Sequence, residues 1–213
     1  MAPKLKLVYF NLRGRAECIR LLLHFANVEF EDRRIEFSDW AAERKDAPNQ
    51  TLPYIEYHGK KYGEALPIAR FLARKYRLLG NDELEQFESD ILINQVDALR
   101  SAAARFTSDS LLTPQQKKHL EKEFIEKKLP EFLQLMEDKL AGKTQQFLVG
   151  NSMSFADILV FDVLDRIVSE DPDFPQKLQA SHPLLSGLAH NVAWSPNIRP
   201  YLNQRPEEIS KSI

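Results

Sequence analysis

The sequence predicts a mixed α+β fold over residues 1–80 followed by an all-α fold over residues 81–213. Three observations carry this. Up to about residue 80, strand-patterned and helix-patterned stretches alternate in the order β-α-β and then β-β-α. Gly80-Asn81 then marks a break between two regimes of patterning. Beyond it no period-2 alternation returns, and apolar residues recur at helical spacing.

Leu5, Leu7 and Tyr9 share one face of a first strand, and a turn over Asn11–Gly14 leads into a helix with Ala16, Ile19, Leu22, Leu23 and Ala26 on one stripe. This leaves the Tyr9 hydroxyl at the carboxyl end of a strand beside a helix amino terminus, a place suited to an anionic ligand. Residues 29–35 read as a second strand. A polar segment with Trp40 follows, then a short helical piece around Ala41–Lys45. Leu52–Tyr57 starts a third strand, His58-Gly59 turns it back, and Lys60–Gly63 returns as a fourth. Ala65–Tyr76 is helical, with Ala65 taken as its N-cap. In the second part Leu84–Phe106 forms a long helix, and Pro114 opens another that Pro130 should kink or divide, because an interior proline removes a backbone donor. Ser154 and Asp157 form a capping box ahead of a helix that is apolar nearly all round and therefore central. His182-Pro183 and Ser195-Pro196 open two further helices.

Composition excludes several classes. With 43% hydrophobic and 28% charged residues the chain is neither fibrous nor disordered. A net charge of −2 implies no general attraction to nucleic acid or membrane, although residues 1–80 carry 15 Lys and Arg against 10 Asp and Glu, whereas residues 81–213 carry 14 against 21. The basic first part suits a small anionic ligand, and random scatter on solvated faces explains it equally well. The single cysteine, Cys18, allows no intrachain disulfide and reads as a buried small residue. No apolar leader or membrane-length apolar run occurs, so the expected address is cytoplasmic. The five histidines lack metal-ligand spacing, and no metal is expected.

Tyr9-Phe10, Arg13-Gly14-Arg15-Ala16-Glu17, Ser38-Asp39-Trp40, Leu52-Pro53, Ile68-Ala69-Arg70-Phe71-Leu72-Ala73 and Gly150-Asn151-Ser152-Met153-Ser154-Phe155-Ala156-Asp157 follow one another along the chain. In this order and spacing they resemble the cytosolic glutathione transferases, the sigma class most closely. The resemblance implies a thioredoxin-like glutathione-binding domain over residues 1–80 and a helical domain over residues 81–213 that contributes the electrophile pocket. It also implies a homodimer in which the first domain of one chain meets the helical domain of the other. Glutathione is the implied co-substrate, and small apolar electrophiles are its partners.

Carried onto this sequence, the resemblance makes Tyr9 the hydroxyl that stabilises the glutathione thiolate, with Arg15 adding positive charge nearby. Trp40, Arg44, Thr51, Leu52, Pro53, Glu64 and Ala65 would hold the tripeptide, with Leu52 pairing its backbone with the cysteinyl part next to a cis proline. Asp97 would reach the γ-glutamyl amine in the partner subunit; as a residue it reads equally well as a solvent-facing helix position. Phe10, Leu12, Arg105, Leu159 and Val163 would line the electrophile pocket, and core packing accounts for them equally well. The chain departs from the family at Glu64-Ala65, where a Gln-Ser pair is usual. Ala65 keeps the backbone N–H and loses the hydroxyl, and Glu64 either repels the γ-glutamyl carboxylate or pairs with its ammonium. Two other readings follow from relatives of the same class: a weakly active, structural S-crystallin-like protein, favoured by Glu64-Ala65, and a prostaglandin D synthase, disfavoured by Asn94, Ala98 and Arg105 at positions where that branch has acidic residues and a tryptophan.

Overall fold

The computed structural model describes residues 5–206. Residues 1–4 and 207–213, the outer ends of the two expected domains, lie outside the described residues. The chain divides into two compact units, one running to Arg77 and resuming at Trp194, the other spanning Leu78–Ala193.

In the first unit β1 (Leu5–Phe10) leads through the turn and a single 3-10 turn (Gly14–Ala16) into α1 (Glu17–Phe25) and then β2 (Glu31–Ile35), which pairs parallel with β1. α2 spans Phe37–Glu43, four residues earlier than the sequence pattern suggests, so Trp40 sits inside it. β3 (Tyr54–Tyr57) and β4 (Lys60–Gly63) form an antiparallel hairpin, and β3 pairs antiparallel with β1, giving the order β2-β1-β3-β4. His58 and Gly59 have φ of 49° and 74°, the left-handed pair that a tight hairpin of this hand needs. α3 (Ala65–Lys75) packs on α1. Leu7 and Val8 are both fully buried although they point to opposite faces, because the sheet is covered on both sides.

α10 (Ile198–Gln204) belongs to this unit. It lies on α1, with the Tyr201 ring stacked on His24 at 4.2 Å and the Asn197 amide donating to the Phe25 carbonyl at 3.2 Å. Sequence patterning had grouped this segment with the helical part.

The second unit is helical. α4 (Glu83–Thr107) starts at Asp82, whose carboxylate accepts the Glu85 N–H at 2.9 Å. α5 (Pro114–Glu123) starts in a Thr113/Gln116 capping box. The helix is not divided ahead of Pro130. It widens into a π-helical stretch over Phe124–Lys128 and continues as α6 (Leu129–Leu140). Pro130 has no N–H for the Glu126 carbonyl, and the wider turn absorbs the missing bond.

α7 (Phe155–Glu170) has the expected central place, packed by α4 and by the two helices that follow it. At its start the Asp157 carboxylate accepts the Ser154 N–H and hydroxyl, each at 2.7 Å, and the Leu148 N–H at 2.8 Å. α8 (Phe174–Ser181) was not legible in the sequence, and α9 (Pro183–Ala193) begins where His182-Pro183 places it. The Glu137 side chain of α6 accepts the Leu184 and Leu185 N–H groups at 3.0 and 2.8 Å and so caps α9 from another helix. Among the described residues no helix is long and apolar enough to cross a membrane.

Candidate active site

The sheet register brings three strand ends to one edge. β1 runs antiparallel to β3 with Val8 opposite Tyr54, and β3 pairs with β4 with Tyr54 opposite Gly63. The end of β1 at Tyr9-Phe10, the Thr51-Leu52-Pro53 approach to β3, and the Glu64-Ala65 start of α3 therefore share that edge.

Tyr9 is buried to 8% exposure. Its oxygen accepts the Arg15 backbone N–H at 3.2 Å. Because a phenol has one hydrogen to donate, this bond leaves that hydrogen for another acceptor, and among the described residues none takes it. An accepted bond also polarises the O–H and strengthens it as a donor. Gly14 makes the arrangement fit. Its φ is +45°, and a Cβ there would lie 2.5 Å from the Tyr9 oxygen and 2.4 Å from Leu12 Cδ1.

Behind this turn lies a charged cluster that patterning missed. Arg20 is completely buried in an otherwise apolar helix face. Its Nη1 donates to the Leu12 carbonyl at 2.8 Å, to the Glu17 carboxylate at 3.3 Å and to the Arg13 carbonyl at 3.5 Å; Nη2 reaches the Phe10 carbonyl at 3.5 Å. Nε bonds both Asp32 oxygens at 3.1 Å. Burial by itself would lower the Arg20 pKa, but the Asp32 and Glu17 charges outweigh it and hold the pKa above its ordinary value. The guanidinium also lies 5.9 Å from the centre of the Tyr9 ring. Arg20 thus grips the backbone of the turn that follows β1 and packs against Tyr9. The available signal was Glu17 three residues before Arg20, both on a helix side that carries apolar residues.

The remaining candidates in this unit take different places. The Arg15 and Arg44 side chains are exposed, with no ion-pair partner among the described residues. Trp40 is half-buried, edge-on to Phe10 at 5.9 Å, and packs with Leu52 against Val8, Ile35, Ala47 and Tyr54. Phe37, absent from the sequence expectations, stacks on Phe10 at 4.5 Å. Thr51 is exposed, Pro53 is buried, and the Leu52-Pro53 bond is cis. Leu52 precedes the β1–β3 ladder, which extends to Tyr54, so its backbone groups are outside the sheet pairing.

One expectation is corrected at the start of α3. Glu64 is the N-cap, and Ala65 is the first helical residue rather than the cap. Glu64 is exposed, with φ +72° and ψ 111°, a conformation that costs a non-glycine residue about 1–3 kcal/mol. Its side chain makes no capping bond, so it satisfies none of the first amides at the positive end of the helix.

Two family models match this chain: the glutathione S-transferase amino-terminal domain over residues 5–74 and the carboxyl-terminal domain over residues 105–205. The class-mu 28 kDa glutathione S-transferase isozyme of Schistosoma japonicum is 34% identical over 206 residues, covering 94% of this chain and 97% of that one. The chain belongs to the glutathione S-transferase family. Among solved structures, prostaglandin D synthase of Nilaparvata lugens superposes with a TM-score of 0.86 at 28% identity, covering 96% of this chain and all of that one. The sigma-class enzyme of Fasciola hepatica gives 0.82 at 27% identity, with 96% and 98% covered.

Four of the remaining candidates of this glutathione S-transferase lie in its second unit. Asp97 is half-exposed and Arg105 exposed on α4, while Leu159 and Val163 are buried on α7. Phe10 is half-buried and Leu12 buried, both in the first unit. Among the described residues no three His, Cys, Asp or Glu side chains converge as a metal ligand set.

Proposed function

We propose that this chain is a glutathione transferase in which the Tyr9 hydroxyl donates to the glutathione sulfur and holds it as a thiolate. The sulfur lone pair then forms a bond to a soft, apolar electrophile, whose leaving group departs with its electron pair, and the thiol proton passes to solvent. Peroxide reduction by the same thiolate is a secondary activity. The single observation that carries this reading is the Arg15 N–H bond to the Tyr9 oxygen, which leaves the phenolic hydrogen to be donated outward.

The energetics are adequate. Lowering a thiol pKa by ~2 units from ~8.5 needs ~2.7 kcal/mol of preferential stabilisation and raises the thiolate fraction at neutral pH from roughly 3% to roughly 75%. One or two hydrogen bonds to a charged group supply that amount. Trp40, Arg44, Thr51, Leu52 and Pro53 bind the glycyl and cysteinyl parts. The uncapped start of α3 at Ala65 receives the γ-glutamyl carboxylate, as helix starts receive anions. Phe10, Leu12, Arg105, Leu159 and Val163 are the proposed electrophile contacts.

We also assign the chain to the sigma class, as a cytoplasmic detoxification enzyme acting as a homodimer with Asp97 serving the partner's glutathione. Leu84, Phe87 and Ile91 support the dimer, since all three are exposed on α4 at helical spacing. The likeness to the Nilaparvata prostaglandin D synthase favours an isomerase as second reading, and Asn94, Ala98 and Arg105 weigh against it. Glu64-Ala65 in turn favours a weakly active, S-crystallin-like protein.

The deciding experiment is Tyr9→Phe. Conjugation should fall by about tenfold or more while glutathione still binds, and the ultraviolet signature of the bound thiolate should titrate at higher pH. A variant whose pH–rate profile matches the parent's would remove Tyr9 from the activating role.

A further inference from the structure

Resting on the assignment of Tyr9 as the thiolate-stabilising hydroxyl, we propose that Tyr201 is a positioning residue for that centre, acting through Glu17 and Arg20 on the turn that follows β1 and packs against Tyr9. Tyr201 and Glu17 are 184 residues apart in sequence. The Tyr201 hydroxyl donates to the Glu17 carboxylate, 3.0 Å from each oxygen, and accepts Arg34 Nη2 at 3.4 Å. Glu17 is completely buried, and Arg205 Nη1 of the segment after α10 also reaches it at 3.3 Å. Arg34 joins the same ring of contacts to Asp32 at 2.8 Å and to the Asn11 side chain at 3.3 Å.

Tyr201 acts on the turn through competition at a single nitrogen. Arg20 Nη1 has two hydrogens and three acceptors: the Leu12 carbonyl at 2.8 Å, Glu17 at 3.3 Å and the Arg13 carbonyl at 3.5 Å. While Tyr201 donates to Glu17 alongside Arg205, the carboxylate makes less demand on Nη1, which stays with Leu12. With one donor fewer the buried carboxylate draws Nη1 closer to itself, since each bond lost by a desolvated charge is costly. The Leu12 and Arg13 carbonyls then lose their anchor. The same short turn holds Gly14 against the Tyr9 ring and the Arg15 N–H on the Tyr9 oxygen. Loosening it therefore blurs the direction in which the Tyr9 hydrogen points. Burial, with the Glu17 charge, pushes the Tyr201 phenol well above its ordinary pKa, so the hydroxyl keeps its proton and remains a donor throughout the working range.

The test is Tyr201→Phe, which keeps the ring stacked on His24 and removes only the hydroxyl. Three quantities are read: hydrogen exchange at the Arg15 amide, the ultraviolet titration of bound glutathione thiolate, and kcat against KM for glutathione. The Arg15 amide should exchange at least about tenfold faster while β1 amides do not change, as expected of local opening. The thiolate midpoint should move up by about one pH unit and kcat at lower pH should fall about tenfold, with KM for glutathione within about twofold of the parent. Leu188→Val, a comparable loss in the second unit, should leave all three unchanged. If Tyr201→Phe fails to fold, Arg205→Met weakens the hold on Glu17 and should move the same readouts in the same direction. A variant that melts earlier but keeps the parent's Arg15 exchange and thiolate titration would reduce Tyr201 to a clamp for α10 and overturn the proposal. If the parent itself does not ionise bound glutathione, the Tyr9 assignment fails, and the Arg15 exchange still decides the role of Tyr201.

Discussion

Gly14→Ala tests the geometry around Tyr9 without removing a polar group. At φ +45° an alanine pays the left-handed backbone cost of about 1–2 kcal/mol, partly offset by about 0.4–1 kcal/mol from a stiffer unfolded chain. Its Cβ would also sit 2.4 Å from Leu12 Cδ1 and 2.5 Å from the Tyr9 oxygen, distances at which something must move. Overpacking of this kind costs a further ~1–3 kcal/mol, so the total is about 2–4 kcal/mol. Gly59→Ala, in the same unit, separates the two contributions. Its φ is +74° and nothing lies within 4 Å of the added Cβ, so only the backbone cost remains, net about 1 kcal/mol. Denaturant unfolding of both variants and the parent gives the steric part by difference. Kinetics should separate them further. Displacing the Tyr9 oxygen by a fraction of an ångström should lower kcat about 10- to 100-fold in Gly14→Ala and leave Gly59→Ala at the parent's value. Equal stability losses in the two variants, or a Gly14→Ala enzyme with the parent's kcat, would refute the view that Gly14 holds Tyr9 by close contact.

Three further outcomes are expected. Ala65→Ser places a hydroxyl at the first helical position, where it is not the cap; glutathione affinity by calorimetry should rise about 10- to 150-fold with melting temperature nearly constant, whereas unchanged affinity would remove the γ-glutamyl carboxylate from this helix start. Burial lowers the His24 pKa from its ordinary 6.5, so below that value the unfolded chain binds more protons than the folded one. The stability His24 contributes is therefore complete above pH 6.5 and lost as pH falls toward its folded value, and a urea-midpoint series against pH should flatten in His24→Phe. Phe87→Glu, a charge in the exposed apolar stripe of α4, tests the proposed homodimer: the variant should sediment as monomer at micromolar concentration where the parent sediments as dimer, and a dimeric variant would place the interface elsewhere.

The strand and helix order was legible because period 2 and period 3.6 leave different traces, as in Leu5-Leu7-Tyr9 and in the α1 stripe. Elements whose own sequence carries little apolar signal were not. α8 buries only Phe174 and Leu178, too few to show a period. α2 has Phe37 and Trp40 three residues apart in a polar stretch, with no buried residue at all, so its start was read as loop. Glu64 as the cap of α3 depends on a positive φ that no residue type announces, so the sequence pattern puts the cap one residue late, at Ala65. In the candidate site, Tyr9, Gly14 and Trp40 were local signals. Arg20 was less so, because an arginine paired only with Glu17 on its own helix gains its full meaning once Asp32 and the Leu12 carbonyl are seen around it. Tyr201 was invisible for a related reason: its partner lies at the other end of the chain.

The cap that Glu137 lends to α9 bears on how the second unit acquires its order. A helix of eleven residues is marginal alone, and this one has two of its first amides satisfied by a carboxylate from α6. Its first turn is therefore complete only after α6 has formed and docked. Local opening at the start of α9 and unfolding of α6 around Glu137 become a single event. The two segments should gain and lose amide protection together, as one cooperative block.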